Sequence, residues 1–428
     1  MQVLKLFLPE IEELLAQKNW LELREVLSEI PAPDVSDIIT EIDETQRIVI
    51  LRLLPKDMLS EVFSHLEMRV KQDVLKAITE DETRAILAGM PPDDRTEFLE
   101  ELPGQAIQKM VTLLSSEDRK EALQLLGYPE ESVGRLMTPD YVAIRPEWTV
   151  QQALSQVRAK GLDSETTNVI YVTDKWWRLI GVLGLRRLIL ANPDDKVEEI
   201  METSLISVSA FEDREEAVQI IKRYDVVALP VLDASGVLLG IITIDDLFDV
   251  ADEEVTEDFQ KSVAVTPLKT SYRESSTFSL YFNRVIWLAA LLFISVITTS
   301  IIAAQTDILT SAIALAFFIP LLIGTGGNTG NQSATLMIRA LATGDIREGQ
   351  WVLAFFREIG IGLLLGATMG VASWVLGLYK GGYQIALIVS ISMVSIVVIS
   401  SLIGIILPMI LQRMKIDPAM ASNPLIAS

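Results

Sequence analysis

Pro320-Leu-Leu-Ile-Gly-Thr-Gly-Gly-Asn-Thr-Gly-Asn-Gln-Ser-Ala-Thr335 lies in a region apolar enough to be membrane, yet it carries a proline, four glycines, two asparagines and a glutamine. In lipid every backbone amide needs an internal partner. A Gly/Asn-rich break at membrane depth therefore survives only when buried in protein or lining a water-filled path. Broken helices of this kind are where transporters bind ions. The stretch predicts an interrupted spanning helix in a membrane protein that moves something small and polar.

Working outward, four apolar stretches are long enough to span, since about 20 residues cross the hydrocarbon core. They run over Val285–Ala304, Ile308–Ile323 and on past the glycines, Gly360–Tyr379, and Tyr383–Leu411. Arg284 precedes the first, and Arg339, Arg347 and Arg357 fall between the second and third. Arg413 and Lys415 follow the fourth, whereas Gln305-Thr306-Asp307 holds no basic residue. Lysines and arginines favour the cytoplasmic side, so this alternation places the N-terminal part inside. A fifth apolar segment starts at Ile416-Asp-Pro-Ala and reaches Ser428 after thirteen residues, too few to cross, so it reads as truncated or as a half-helix.

Charge separates this region from the rest. From Tyr272 onward there are eight basic and six acidic residues, against 36 and 58 in the whole chain. The part before it therefore holds 28 basic and 52 acidic residues, a net of −24. Such a surface repels nucleic acid and attracts cations. There is no cysteine, hence no disulfide framework and no thiolate metal site. The opening Met1-Gln-Val-Leu-Lys-Leu-Phe-Leu-Pro-Glu10 turns acidic too soon for a signal peptide. An enzyme reading finds little support. The one histidine, His65, has no companion, and there is no phosphate-binding loop ending in Lys-Ser/Thr, so nucleotide-powered pumping is not expected.

Residues 1–130 read as short helices, with apolar positions recurring at three and four, as in Ile48, Leu51 and Leu54. The helix starts repeat one phrase: Leu53-Leu-Pro-Lys-Asp57, Gly89-Met-Pro-Pro-Asp-Asp94, Glu101-Leu-Pro-Gly104. A superhelical array and an irregular bundle both fit this spacing. From Val133 a β-α-β-β-α order occurs twice, over about 131–196 and 197–257. Leu136-Met-Thr-Pro139 opens the first copy and Ile200-Met-Glu-Thr203 the second, whose first strand is expected at Ser204–Val208. This duplication resembles a tandem pair of cystathionine-β-synthase (CBS) domains. The fold class expected is thus multi-domain: an all-α superhelical N-terminal domain, an α/β CBS pair, and an α-helical transmembrane domain at 285–428. A connecting helix is expected over 258–284.

That order, with Gly326-Gly-Asn-Thr-Gly-Asn-Gln-Ser-Ala-Thr335 as its most specific part, resembles the MgtE-type magnesium channel family over essentially the whole chain. The resemblance implies a homodimer in the lipid bilayer of the cell (inner) membrane, with Mg²⁺ entering along a path at the dimer interface. It also implies cytoplasmic domains that bind Mg²⁺ and close the path, and in some members bind ATP. A non-conducting divalent sensor, or a carrier of Co²⁺ or Mn²⁺, remains the alternative. No ligand set here ranks metals beyond hard, oxygen-ligated ones.

Mg²⁺ is small, octahedral and reluctant to dehydrate, so a path for it should present oxygens to the hydrated ion. Asn328, Asn331, Gln332 and Thr335 supply neutral oxygens, and Gly326 and Gly327 let carbonyls face the path. Gly326 and Gly330 also fit a small-residue helix contact. Asp417 is the only carboxylate at the start of the last apolar segment. The resemblance makes it a pore ligand, while Asp-Pro is equally a helix N-cap followed by proline. In the cytoplasm, Asp246, Asp249 and Glu253 share one helical face, and Glu254, Glu257 and Asp258 another, with no lysine before Lys261. These faces are expected to repel the acidic Asp93, Asp94 and Glu97 when Mg²⁺ is scarce, and to dock when it bridges them. The same run is also what an ordinary soluble acidic surface looks like. For ATP, Thr243 and Asp246 resemble the family's ribose-phosphate pattern. The first copy has Gly184 and Arg187 there, and Arg186 or Arg187 could meet phosphates.

Overall fold

The computed structural model describes residues 2–268, 272, 275–306, 313–346, 348–420 and 426. The chain divides into two compact units, Met1–Asp252 and Glu253–Ser428.

The first unit begins with short helices of nine to sixteen residues, from Gln2–Gln17 to Ser116–Leu125. The proline phrases work as read: Pro55, Pro91 and Pro103 each stand at the N-cap of the helix they open. Odd-numbered helices stack in sequence, first on third, third on fifth, fifth on seventh, seventh on ninth, and the second, fourth and sixth stack beside them. A superhelical array therefore wins over an irregular bundle. One continuous core runs through it from Ile11 to Ala122, with Phe63 and Phe98 meeting edge to face at 5.5 Å between ring centres.

The CBS pair follows as two three-stranded sheets of the same order, β1-β2-β3 and β4-β5-β6. The strands are β1 Tyr141–Ile144, β2 Thr166–Thr173, β3 Leu179–Gly184, β4 Val208–Ser209, β5 Ala228–Leu232 and β6 Leu238–Thr243. In each sheet the first pair is parallel and the second antiparallel. The strand expected at Ser204–Val208 is instead the two-residue Val208–Ser209, set by its register with Val231 and Leu232. Each copy is stitched to the other. Thr138 exchanges both backbone hydrogen bonds with Ile241, and Val182 does the same with Glu202. Gly181 and Gly240 lie at these crossings. A Cβ on Gly240 would come within 2.7 Å of the Thr138 carbonyl oxygen, so glycine is needed for the close approach.

The acidic helix leaving the second copy is Ile244–Ser262. The connecting helix expected over 258–284 ends there. Ala264 takes a left-handed conformation (φ 58°), and Val265 N–H donates back to the Gln260 carbonyl at 3.0 Å, a Schellman-type stop. Pro267 three residues on cannot continue a helix. The rest of that stretch up to Ser275 lies largely outside the described residues.

Among the described residues of the second unit, three helices are long and apolar enough to cross a membrane: Thr277–Ala303, Ile313–Ala342 and Trp351–Arg413. The last, 63 residues long, is two helices joined at Gly382, whose φ of 80° and ψ of −178° only glycine adopts readily. The halves run back along each other, because Gly362, Gly366, Gly370 and Gly377 face Val398, Val394, Ser390 and Ala386 in reverse order. The glycine-rich stretch gives the main correction. Ile319–Ala342 is a continuous α-helix with Pro320 in its first turn, where the missing N–H costs nothing. Two of its four glycines serve contact instead: Gly326 meets Ile396, and Gly330 and Gly404 approach so closely that a Cβ on Gly404 would lie 2.4 Å from the Gly330 carbonyl oxygen.

Candidate cation sites in the two units

In the first unit, acidic side chains from the helical array and from both CBS copies gather around Asp93. Asp93 opens the Pro92–Glu100 helix, 9% exposed, and its Oδ1 accepts the Asp94 N–H at 3.1 Å. Burial pushes its carboxyl well above the usual range, and the charges of Asp246, Glu165 and Asp94 push it further. Asp246 is raised to about 6, by burial first. The Thr243 hydroxyl, which donates to its Oδ2 at 2.7 Å, opposes the shift, and Asp245 and Asp94 add to it. Glu165 is raised to about 7, by burial and then by Asp246, Asp245, Asp94 and Asp140. Asp249 rises too, by burial and Asp252, with His65 pulling the other way.

Cations are few here. Arg95, 2% exposed, binds Glu121 at 2.6 Å and lies 3.8 Å from Asp118, and its charge offsets part of the burial of Asp140. Like charges held together in a partly desolvated space cost free energy that a divalent cation would recover. Among the described residues no three Asp, Glu or His side chains converge on one ion-sized point, so these carboxylates form a shared field without a closed cage.

Of the residues anticipated from sequence, Asp93, Asp94, Asp246 and Asp249 come together. Glu253, Glu254, Glu257 and Asp258 belong to the second unit. Glu165 and Asp140 were missed: both lie in loops flanking strands, tied by the Glu165 N–H to the Asp140 carbonyl at 2.8 Å, and loop acids carry no pattern in sequence. His65, read as lacking a companion, stands within charge range of Asp249.

The nucleotide candidates fall on the two CBS copies. Thr243 is buried and bound to Asp246. In the first copy Arg187 pairs with Glu202 at 3.0 Å, and Arg186 is exposed.

In the second unit the Ile319–Ala342 helix has two faces. Gly326, Thr329, Gly330, Ser333, Ala334 and Met337 are buried against the Trp351–Arg413 helices. Asn328, Gln332 and Thr335 form an outward stripe at helical spacing, with Gly327 at its edge. The candidate pore lining is thereby divided: Gly326 lies on the packing face, and the polar side chains face away from it. Asn331 carries a buried side-chain oxygen without a hydrogen-bond partner. Ser333 donates to Glu358 at 2.6 Å.

Asp417 uses both oxygens. Oδ1 accepts the Ala419 N–H at 2.8 Å, capping the Pro418–Met420 turn as Asp-Pro suggested, and Oδ2 takes the Lys261 ammonium at 2.7 Å. Most of the segment beyond Met420, where a fifth span was expected, lies outside the described residues.

A stacked helical domain, a CBS pair bearing clustered acids, and long apolar helices packed through glycines are the parts of a membrane protein with a large cytosolic-type unit. Family models agree. That of the divalent cation transporter MgtE matches residues 319–428, that of the MgtE intracellular N domain 30–131, and that of the CBS domain 133–194 and 197–253. The magnesium transporter MgtE of Thermus thermophilus is 43% identical over 424 residues, covering 98% of this chain and 94% of that protein. That of Bacillus subtilis is 33% identical over 408 residues, 95% of this chain and 90% of that one. A crystal structure of the cytosolic domain of the Mg²⁺ channel MgtE in complex with ATP is similar, at TM-score 0.54 and 38% identity, covering 57% of this chain and 99% of that one. The chain belongs to the MgtE family.

Proposed function

We propose that this protein is a Mg²⁺ channel of the cell membrane. It admits Mg²⁺ to the cytoplasm down its electrochemical gradient and closes when Mg²⁺ bridges its acidic cytosolic surfaces. The observation that carries the regulatory half is the carboxylate field of Asp93, Asp94, Glu165, Asp246 and Asp249, drawn from separate domains, in which burial and neighbouring negative charge raise Asp93, Glu165, Asp246 and Asp249 above their ordinary values. A divalent ion bound there draws the helical domain and the CBS pair together; without it they repel. Glu253, Glu254, Glu257 and Asp258, on the same helix, are proposed as further acidic ligands for a divalent ion.

Conduction rests on the outward stripe of Asn328, Gln332 and Thr335. Three polar side chains facing lipid are costly, and a second copy of the chain would cover them, giving a homodimer with the path along the seam. Gly327 and the orphaned Asn331 oxygen lie beside that seam. Asp417 becomes an ion ligand when Lys261 leaves it. The membrane potential supplies the driving force, about 4.6 kcal/mol per divalent ion per 100 mV, so no chemical step is required. Thr243 and Asp246, with Arg186 or Arg187, are the proposed contacts for ATP, a ligand of the similar cytosolic domain described above.

The test is Mg²⁺ uptake into proteoliposomes, with free Mg²⁺ varied on the side of the cytosolic domains. Wild-type flux should fall as that Mg²⁺ rises, and Asp93→Asn with Asp246→Asn should shift the closing concentration upward about ten-fold, a usual size for coupling between sites. Binding without flux would replace the channel by a sensor, and flux of Co²⁺ or Mn²⁺ in preference to Mg²⁺ would change the cargo.

A further inference from the structure

Lys261 sits in the last turn of the Ile244–Ser262 helix, 156 residues from the carboxylate it binds. Its ammonium lies 2.7 Å from Asp417 Oδ2 and also pairs with Glu257 one turn earlier. The pair is partly sheltered, with 26% of the lysine side chain and 33% of the aspartate side chain accessible. Both ends are held in place. Ala264 and the Val265-to-Gln260 bond terminate the lysine's helix, the Gln260 side chain accepts the Leu268 N–H at 2.8 Å, and Asp417 is fixed by its cap to Ala419. Asp258 adds a third carboxylate, raised by burial and by the Asp417 charge.

We propose that Lys261 is a tethered cation that occupies Asp417 in place of a metal ion and latches the end of the acidic helix onto the membrane unit. The ammonium satisfies one carboxylate oxygen, and a divalent ion can reach that oxygen only after the helix end moves away. The latch couples helix position to the availability of Asp417 without an added ligand. It rests on the channel reading for its consequence, though not for the contact itself.

Two measurements test it on the full chain. Zero-length carbodiimide coupling, which joins an amine to a carboxylate in contact, should give a Lys261–Asp417 isopeptide identifiable by mass spectrometry. Absence of that product overturns the latch, whatever the flux. In proteoliposomes at a Mg²⁺ concentration that closes the wild type, Lys261→Gln should raise flux about ten-fold, the range of a broken allosteric coupling. Lys261→Arg, which keeps the charge, should stay near wild type. Equal flux in wild type and Lys261→Gln, or equal release by Gln and Arg, overturns the proposal. If the wild type carries no flux under any condition while the isopeptide forms, the channel reading fails and the contact stands.

Discussion

Gly184 and Thr243 occupy the same point in the two CBS copies, at the end of the antiparallel strand pair, and they start their helices differently. Gly184 offers no side-chain cap, and the helix after it, Leu185–Leu190, lasts six residues and carries Arg186 and Arg187. Thr243 binds Asp246 through its backbone N–H and its hydroxyl, and the helix after it runs nineteen residues with Asp245 and Asp246 in its first turn. Acids at a helix N-terminus complement its dipole, whereas the arginines of the first copy do not. The same backbone therefore carries aspartates at this helix start in one copy and arginines in the other. A duplication fixes geometry and leaves chemistry free.

The largest effect should come from breaking the geometry the copies share. A Cβ at Gly240 would meet the Thr138 backbone oxygen and Met137 at 2.7–3.1 Å, whereas at Gly181 its nearest neighbour is the flexible Met201 side chain, also at 2.7 Å. Gly240→Val should cost roughly 3 kcal/mol in chemical denaturation of the cytosolic unit, and Gly181→Val clearly less, because a methionine moves and a ladder carbonyl does not. Equal losses would mean that the crossing relaxes as a whole.

A smaller effect sharpens the chemical difference. Asp246 and Glu165 hold their protons up to about 6 and about 7, against ordinary values of 3.8 and 4.5, so the folded unit binds more protons than the unfolded chain between about pH 4 and 7. Stability should fall as pH rises through that window. In chelator, the thermal midpoint at pH 5.5 should exceed that at pH 7.5 by several degrees. Saturating Mg²⁺ at pH 7.5 should recover most of the loss. Asp246→Asn should flatten the slope, and Arg187→Gln, in the other copy, should leave it intact.

The smallest effect concerns two matching turns. Asp174 accepts the N–H groups of Trp176 and Arg178, as Asp233 accepts those of Ser235 and Val237. Where the second turn has Gly236 at φ 80°, the first has Trp177 at φ 64°, its ring under the Arg145 guanidinium at 4.8 Å. Gly236→Ala should lose about 1 kcal/mol to the left-handed backbone. Trp177→Gly should change stability by less than about 1 kcal/mol, because relieved strain and the lost cation–π contact oppose each other.

Much of this architecture was legible because it rests on local patterns. Proline phrases open the short helices, the duplicated strand–helix order gives both sheets, and Lys380-Gly-Gly382 turns one spanning helix back on the next. The misreadings arose where tertiary contact overrules local preference. Gly326 and Gly330, which would weaken an isolated helix, are tolerated in Ile319–Ala342 because a side chain at either would strike a neighbouring segment. Likewise, Asp93 and Asp246 were visible as acids, but Glu165 and Asp140 join them only through folding. Ala264 gave no sign that it would enter a left-handed turn and end the acidic helix.

The paired crossings in the CBS module carry a historical consequence. Thr138 with Ile241 and Glu202 with Val182 are one contact made twice, and Leu179 N–H to Gly236 with Leu238 N–H to Trp177 is another such pair. Two separate chains of a half-length ancestor, related by a two-fold axis, would make the same bonds. Joining two such halves in one polypeptide is what lets one carry a glycine and arginines at a position where the other carries a threonine and aspartates.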